Sequence, residues 1–279
     1  MRIKGRPGLV NSSTDTELPV NTLFLNALCQ GIEQERASHK PPSSAYTPSG
    51  MNCMRAMFYK RSSYVPDLDR TEYTDVGMAN TGTGRHEDIQ KALIYMTTHG
   101  SRFKYVDVAR YVQEKQSRGK CLQLVVTGKD GAETALWDKE RDVRFRCDGI
   151  IYDSVTHLFY LFEFKNQISS TAAGKACVDM KHHCQVDCYC AELDLQYALV
   201  TYENRDTCQL YVPEVYEVTE YAKLSILKKI DDCEDMAKHS IVPARPTNLS
   251  PSECKWCRYK SYCKADGAEG GRKDGTHNS

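Results

Sequence analysis

Residues 158–167 read Leu-Phe-Tyr-Leu-Phe-Glu-Phe-Lys-Asn-Gln, and residues 144–149, a short way upstream, read Arg-Phe-Arg-Cys-Asp-Gly. Leu158 to Asn166 and Val143 to Tyr152 have the aromatic and β-branched content of strands, and Asp153-Ser154-Val155-Thr156-His157 joins them as a hairpin. Side chains alternate along a strand with period two, so Glu163 and Lys165 share a face, and pairing brings Asp148 towards them. The run Leu161-Phe162-Glu163-Phe164-Lys165 is too apolar for a strand that meets only water, and a buried carboxylate without a partner is costly. A metal ion or Lys165 must compensate it. Hard divalent cations take carboxylate oxygens, so Asp148 and Glu163 are suitable ligands, with Lys165 placed to hold a water or a phosphate. The alternative is that Asp148 serves an Asp-Gly turn and Glu163 and Lys165 form a solvated strand face.

Downstream of this hairpin, Thr171 to Leu195 reads as a helix with Gln185 and Tyr189 on one face. Tyr197 to Tyr202 and Cys208 to Val212 make a second hairpin. A long helix from Thr219 to about His239 carries the stripe Leu224, Leu227, Ile230 and Cys233, and Pro243 and Pro246 end it. Upstream, Phe103 to Val108 and Leu122 to Thr127 read as strands around a turn-rich segment, Gln113 to Gly119. Thr81-Gly82-Thr83-Gly84-Arg85-His86 reads as a glycine-rich turn into a helix on which Ile89 and Leu93 share the face of His86. Met51 to Arg61 is a helix with Cys53 and Arg55 near its start. Leu25, Leu28, Cys29 and Ile32 mark another, capped by Asn21 or Thr22 and broken at Lys40-Pro41-Pro42-Ser43-Ser44. Strands interleaved with helices predict an α/β fold, a mixed central sheet flanked by helices.

The 279 residues, 41% hydrophobic and 27% charged, have the composition of a globular protein. No apolar run approaches the roughly 18 residues that span a bilayer, and the N-terminus lacks the apolar segment of a signal peptide, so a cytoplasmic location and no membrane partner are expected. Lys plus Arg and Asp plus Glu both number 37, so nucleic-acid binding requires a local basic patch. Cysteine numbers 13, and without an export signal that favours metal ligation or core packing over disulfides. A Gly-x4-Gly-Lys-Ser/Thr phosphate loop is absent, so no ATPase motor is encoded.

The order Gly82-x3-His86, Asp148-Gly149, Glu163-Phe164-Lys165, Gln185-x3-Tyr189 resembles the PD-(D/E)XK nucleases of the RecB/AddB type, over roughly residues 50 to 264. The resemblance implies a restriction-endonuclease-like core. His86, Asp148 and Glu163 are then metal ligands for Mg2+ or Mn2+, completed by the backbone carbonyl of Phe164, with Asp148, Glu163 and Lys165 catalytic. Gln185 and Tyr189 match the helix that contacts DNA. Cys147 stands where the family name has proline.

Cys254-x2-Cys257-x5-Cys263 supplies three soft ligands where a soft metal site takes four. The iron-sulfur subgroup of the same family, which includes the CRISPR-associated exonucleases, has one cysteine before the nuclease motifs and three after them. By that resemblance Cys53, Cys254, Cys257 and Cys263 bind a [4Fe-4S] cluster, with a structural Zn2+ as the alternative, and Arg55 beside Cys53 belongs with the DNA-contacting residues. His182, His183, Cys184, Cys188 and Cys190 form a second cluster, read as core packing. Lys175, Lys181, His182 and His183 start a phosphate-contacting patch or a solvated face.

The implied organisation is an N-terminal arm and helix over 1–45, a nuclease domain over 46–264 closed by the cysteines, and a disordered tail over 265–279. The implied activity is a metal-dependent deoxyribonuclease, an exonuclease on single-stranded or end-containing DNA, working with recombination, repair or CRISPR adaptation proteins. A catalytically silent DNA-binding subunit and a zinc-stabilised interaction protein are the alternatives. Oligomeric state is not readable.

Overall fold

The structure, a computed structural model, describes residues 19–37, 43–67, 73–116, 122–126, 134–167, 176–247, 249, 254–255, 257–268 and 270–272. The chain divides into two compact units, one of residues 1–42 with 68–81 and one of residues 43–67 with 82–279.

In the first unit, α1 (Val20–Ala37) is an 18-residue helix. It starts before Asn21 and Thr22, so neither is its cap, and the carbonyl of Pro19 accepts the N–H groups of Thr22 and Leu23 instead. Leu25 and Leu28 are about half exposed.

The larger unit is a mixed α/β structure, as the pattern of elements predicts. Its central sheet runs in the order β1 (Phe103–Val106), β5 (Gly149–Asp153), β6 (Phe159–Gln167), β7 (Tyr197–Asn204), β8 (Leu210–Tyr211), with β9 (Tyr216–Glu217) also on β7. The pair β6–β7 is parallel and every other pair antiparallel. Parallel neighbours need a crossover, supplied here by α5 (Met180–Leu193). Its N-cap Asp179 accepts the Lys181 N–H, and Asp194 closes it in the left-handed conformation. A smaller sheet joins β2 (Leu122–Val126), β3 (Ala135–Asp138) and β4 (Val143–Phe145).

The run Val143 to Tyr152 is therefore two strands in two sheets, separated by Arg146, Cys147 and Asp148. Asp148 stands immediately before β5, whose first residue, Gly149, pairs with Phe162. Gly149 has no positive φ. It is glycine for space, because a Cβ there would lie 2.6 Å from the Tyr105 ring.

Alternation along β5 and β6 serves two cores. Ile150 and Leu161 enter the larger one, shared with α2 (Met54–Arg61), α4 (Val108–Gln116), α5 and α6 (Glu220–Lys238). Ile151, Tyr160, Phe162 and Phe164 form the second, against Ile89 and Leu93 of α3 (Tyr73–Thr98). A strand buried on both faces reads as a nearly continuous apolar run, which is what β6 shows.

Four further expectations change. The glycine-rich segment 81–86 is not a turn: α3 runs through it, and the packing of Ile89 and Leu93 outweighs the roughly 1 kcal/mol each glycine costs. Gln113 lies inside α4, which Asp107 caps through the Arg110 N–H and which buries Val108, Tyr111 and Val112. The helix at 51–61 starts at Met54, with Cys53 as N-cap and a 3-10 turn at Pro48–Gly50 before it. The segment after 264 is not wholly a tail. Beyond α7 (Lys260–Ala265), β11 (Gly271–Arg272) pairs with β10 (Ile241–Val242). Residues 273–279 lie outside the described residues. Among those described, no helix is long and apolar enough to cross a membrane.

Candidate active site

The acidic centre forms where β6 outruns its neighbour. Pairing with β5 stops at Phe162, so among the described residues the β5-side edge of Phe164 has no strand against it. Asp148 fills that place: its Oδ2 accepts the Phe164 backbone N–H at 2.7 Å. The N–H and C=O of a strand residue lie on one edge, so the Phe164 carbonyl shares the side that Asp148 occupies. Gln90, four residues after His86 and 4% exposed, donates to the Asp148 carbonyl at 3.3 Å.

Each face of the sheet contributes. On the α3 side, the His86 ring meets the Phe164 ring edge-on at 5.0 Å, and its Nδ1 is 3.0 Å from Asp148 Oδ1. Burial pulls the His86 imidazole down, but the Asp148 hydrogen bond and the charges of Asp148 and Glu163 leave it above its usual value. Arg85, the preceding residue, makes a forked pair with the buried Glu203 carboxylate, which also accepts from Asn166. That pair fastens this turn of α3 to β7.

On the α5 side, Lys165 Nζ donates to Glu163 Oε1 at 2.7 Å and to Gln185 Oε1 at 2.8 Å. Gln185 Nε2 donates to the same Glu163 oxygen at 2.8 Å and to the Tyr189 hydroxyl at 3.3 Å. The Tyr189 hydroxyl donates to the Arg146 carbonyl at 2.9 Å. Both donors to Glu163 thus use Oε1, and Oε2 is buried with no partner among the described residues. Burial first, and the like charge of Asp148 second, push the Glu163 carboxyl up to about 7 against the pull of Lys165 and His86.

No protein-family model matches the chain, and no curated protein does. A solved structure described as the crystal structure of SSO0001 covers 88% of this chain and 98% of its own at 14% identity, with a TM-score of 0.47. A likeness of that size carries no argument.

His86, Asp148 and the Phe164 N–H form one bonded set and Glu163, Lys165, Gln185 and Tyr189 another, joined through the backbone between Glu163 and Phe164. Among the described residues no three His, Cys, Asp or Glu side chains are gathered as a ready metal group. Lys165 and Gln185 hold Glu163, and His86 leans on Asp148. The donor set still fits a hard cation. Oε2 of Glu163 is an unused anionic oxygen, and each Asp148 oxygen keeps a lone pair beyond its one hydrogen bond.

Arg55 does not belong to a DNA surface. It is 0% exposed, and its guanidinium donates to the carbonyls of Pro243 (2.7 Å), Gly267, Ala268 (3.1 Å) and Cys263 (3.4 Å). It fastens α2 to the segment around α7, where Tyr59, Tyr64, Tyr259 and Tyr262 also pack ring against ring.

The cysteines converge on the same corner. Burial pushes the Cys53 thiol up, the backbone N–H of Ala56 pulls it down, and the neighbouring Cys257 and Cys263 raise it again. The Arg245 guanidinium is raised by a hydrogen bond with Cys254 and by the charges of Cys263, Cys254 and Cys53. All four are free thiols and partly buried. The four thiols are near enough to feel one another's charge, but among the described residues no three of them are gathered as a ready metal group.

Cys188 and Cys190 are fully buried in the larger core, and burial pushes both thiols up, in keeping with packing. His183 Nε2 lies 3.1 Å from the Val178 carbonyl, and Lys181 pairs with Asp179 at 3.3 Å, so this helix start spends polar groups internally. Lys175 lies outside the described residues. Sequence reasoning missed Gln90 and Arg85; spacing of four from His86 was the available signal for Gln90, and nothing local marks the Arg85–Glu203 pair.

Proposed function

We propose that this chain is a metal-dependent deoxyribonuclease, an exonuclease acting on single-stranded or end-containing DNA. The observation that carries the reading is the buried Oε2 of Glu163, without a partner among the described residues, near the His86–Asp148 pair and beside Lys165. A carboxylate this buried is costly unless a cation compensates it, and Lys165 reaches only the other oxygen.

His86, Asp148, Glu163 and the Phe164 carbonyl would hold Mg2+ or Mn2+. Such an ion supplies Lewis-acid activation of the phosphodiester and a water of lowered pKa. The chain's own residues do the rest. Gln185 fixes Lys165, so that the ammonium stands beside the acidic pair and can meet a phosphate oxygen. Asp148 sets the orientation of the His86 ring. Tyr189 anchors Gln185 to the Arg146 backbone.

Cys53, Cys254, Cys257 and Cys263 would hold a [4Fe-4S] cluster as a staple near Arg55, with Zn2+ as the rival occupant. Anaerobic purification with iron, sulfide and zinc analysis decides between them. The activity is tested on end-labelled single- and double-stranded DNA with Mg2+ or Mn2+, with Glu163→Ala as control. Degradation by the parent and none by the variant is expected. Equal rates remove the acidic centre from the chemistry.

A further inference from the structure

We propose that Glu203 is the positioning residue of the acidic centre: its one buried carboxylate ties the residue before His86 to the residue after Lys165, and so fixes the two halves of the metal site against each other. This rests on the nuclease reading above.

The two bonded sets of the centre are joined through the backbone between Glu163 and Phe164, and Glu203 supplies a second tie. Side chains alternate along β6, so Asn166 lies with Phe164 on the α3 side while Glu163 and Lys165 face α5. Asn166 stands opposite Glu203 in the parallel register, and its Nδ2 donates to Glu203 Oε1 at 2.9 Å. Arg85 Nε donates to Oε1 at 3.0 Å and to Oε2 at 3.2 Å, and its Nη2 donates to Oε2 as well. Glu203 is 1% exposed, and both of its oxygens are engaged. A forked guanidinium–carboxylate pair adds geometric specificity to its attraction. Arg205 orients the amide between the two: its Nε donates to Asn166 Oδ1 at 2.6 Å, and its backbone N–H donates to the Gln167 carbonyl at 2.7 Å.

The helix needs such a tie at this turn. Gly82 and Gly84 precede Arg85 within α3, and glycine weakens a helix through its backbone freedom. A Cβ at Gly84 would meet nothing within 4 Å, so packing does not require the glycine. The other partner of Arg85, Asp88 at 3.2 Å, lies on the same helix and anchors it to no other element.

The test separates position from stability. Mn2+ affinity is measured by calorimetry on the parent, Glu203→Gln and Glu163→Gln, beside steady-state cleavage of DNA. Glu203→Gln keeps the side-chain volume and removes the charge that Arg85 grips. It should weaken Mn2+ about tenfold, the low end for partners that stand behind metal ligands, and lower kcat while leaving KM for DNA unchanged. Gly84→Ala should leave Mn2+ affinity of the parent unchanged and return part of it to Glu203→Gln by stiffening α3. Asp153→Asn is the control. Asp153, also 1% exposed, takes an equivalent fork from Arg102 at 2.6 and 2.7 Å at the far end of β5, so this variant should lose stability and keep parental Mn2+ affinity. Arg85→Gln serves if Glu203→Gln melts early. Parental Mn2+ affinity in both Glu203→Gln and Arg85→Gln, with the loss confined to Glu163→Gln, overturns the positioning role and spares the nuclease reading. An equal loss in Asp153→Asn also overturns it, because stability alone then sets metal binding. A parent whose Mn2+ binding does not depend on Glu163 overturns both.

Discussion

Asp148 accepts the backbone N–H of Phe164, so one side chain both caps a strand and faces the candidate metal position. The two roles separate by substitution. Asp148→Asn keeps an oxygen for the N–H and the volume of the side chain, and should abolish cleavage with little change in stability. Asp148→Ala leaves that N–H unsatisfied and should cost about 1–3 kcal/mol in addition. The Asn variant should also lower the His86 pKa, since the Asp148 hydrogen bond and charge raise it. Cleavage assays, urea unfolding and a histidine NMR titration read the three effects; an active Asn variant would remove Asp148 from the metal set.

Glu163 predicts a pH signature. Its carboxyl is raised to about 7, so its contribution to stability is present below about pH 4.5 and lost as pH rises through 7. His86, also raised, acts in the same direction over its own titration. Without metal the melting midpoint should fall between pH 5 and 8, and Glu163→Gln should make that fall shallower. Lys165→Met removes the cation that opposes the rise, so its destabilisation, about 3 kcal/mol at the alkaline end, should be smaller at pH 6. Mg2+ should stabilise the parent more at pH 8 than at pH 6, because binding needs the deprotonated carboxyl. A Glu163→Gln protein with the parental slope would show that this group does not set it.

Arg55 should behave as a structural residue. Truncation to Ala strands four carbonyls and removes a buried cation, for a loss on the order of 4 kcal/mol by denaturant unfolding. Arg55→Lys should recover little of it, because an ammonium cannot reproduce the planar fork. A Lys variant with parental stability and weakened DNA binding would return Arg55 to the nucleic-acid surface.

The parts of the fold that were legible in sequence are those where a short-range signal and the tertiary answer agree. Two apolar strands, the first opening at an Asp-Gly, a long helix starting near Thr219, and Gln185 and Tyr189 one turn apart all appear in place. The break between β4 and β5 was not legible, because both halves share strand composition and only the second sheet tells them apart. The passage of α3 through Gly82 and Gly84 is likewise tertiary, set by Ile89 and Leu93 against β5 and β6. Arg55 was misplaced because exposure is the usual state of an arginine, and the carbonyls that bury it lie 188 to 213 residues away.

Gly149 carries the last prediction. The position just after Asp148 is glycine because the Tyr105 ring, on the neighbouring β1, comes within 2.6 Å of where a Cβ would stand. Gly149→Ala must push that ring or the start of β5, at about 1–3 kcal/mol, and a shift at the start of β5 carries Asp148 with it. Cleavage should therefore fall along with stability. Tyr105→Ala alone loses packing in the smaller core, but it opens the space the methyl needs, so the double variant should be more stable and more active than the two single losses predict together. A cycle showing simple additivity, with Gly149→Ala active as the parent, would mean that the ring does not impose the glycine.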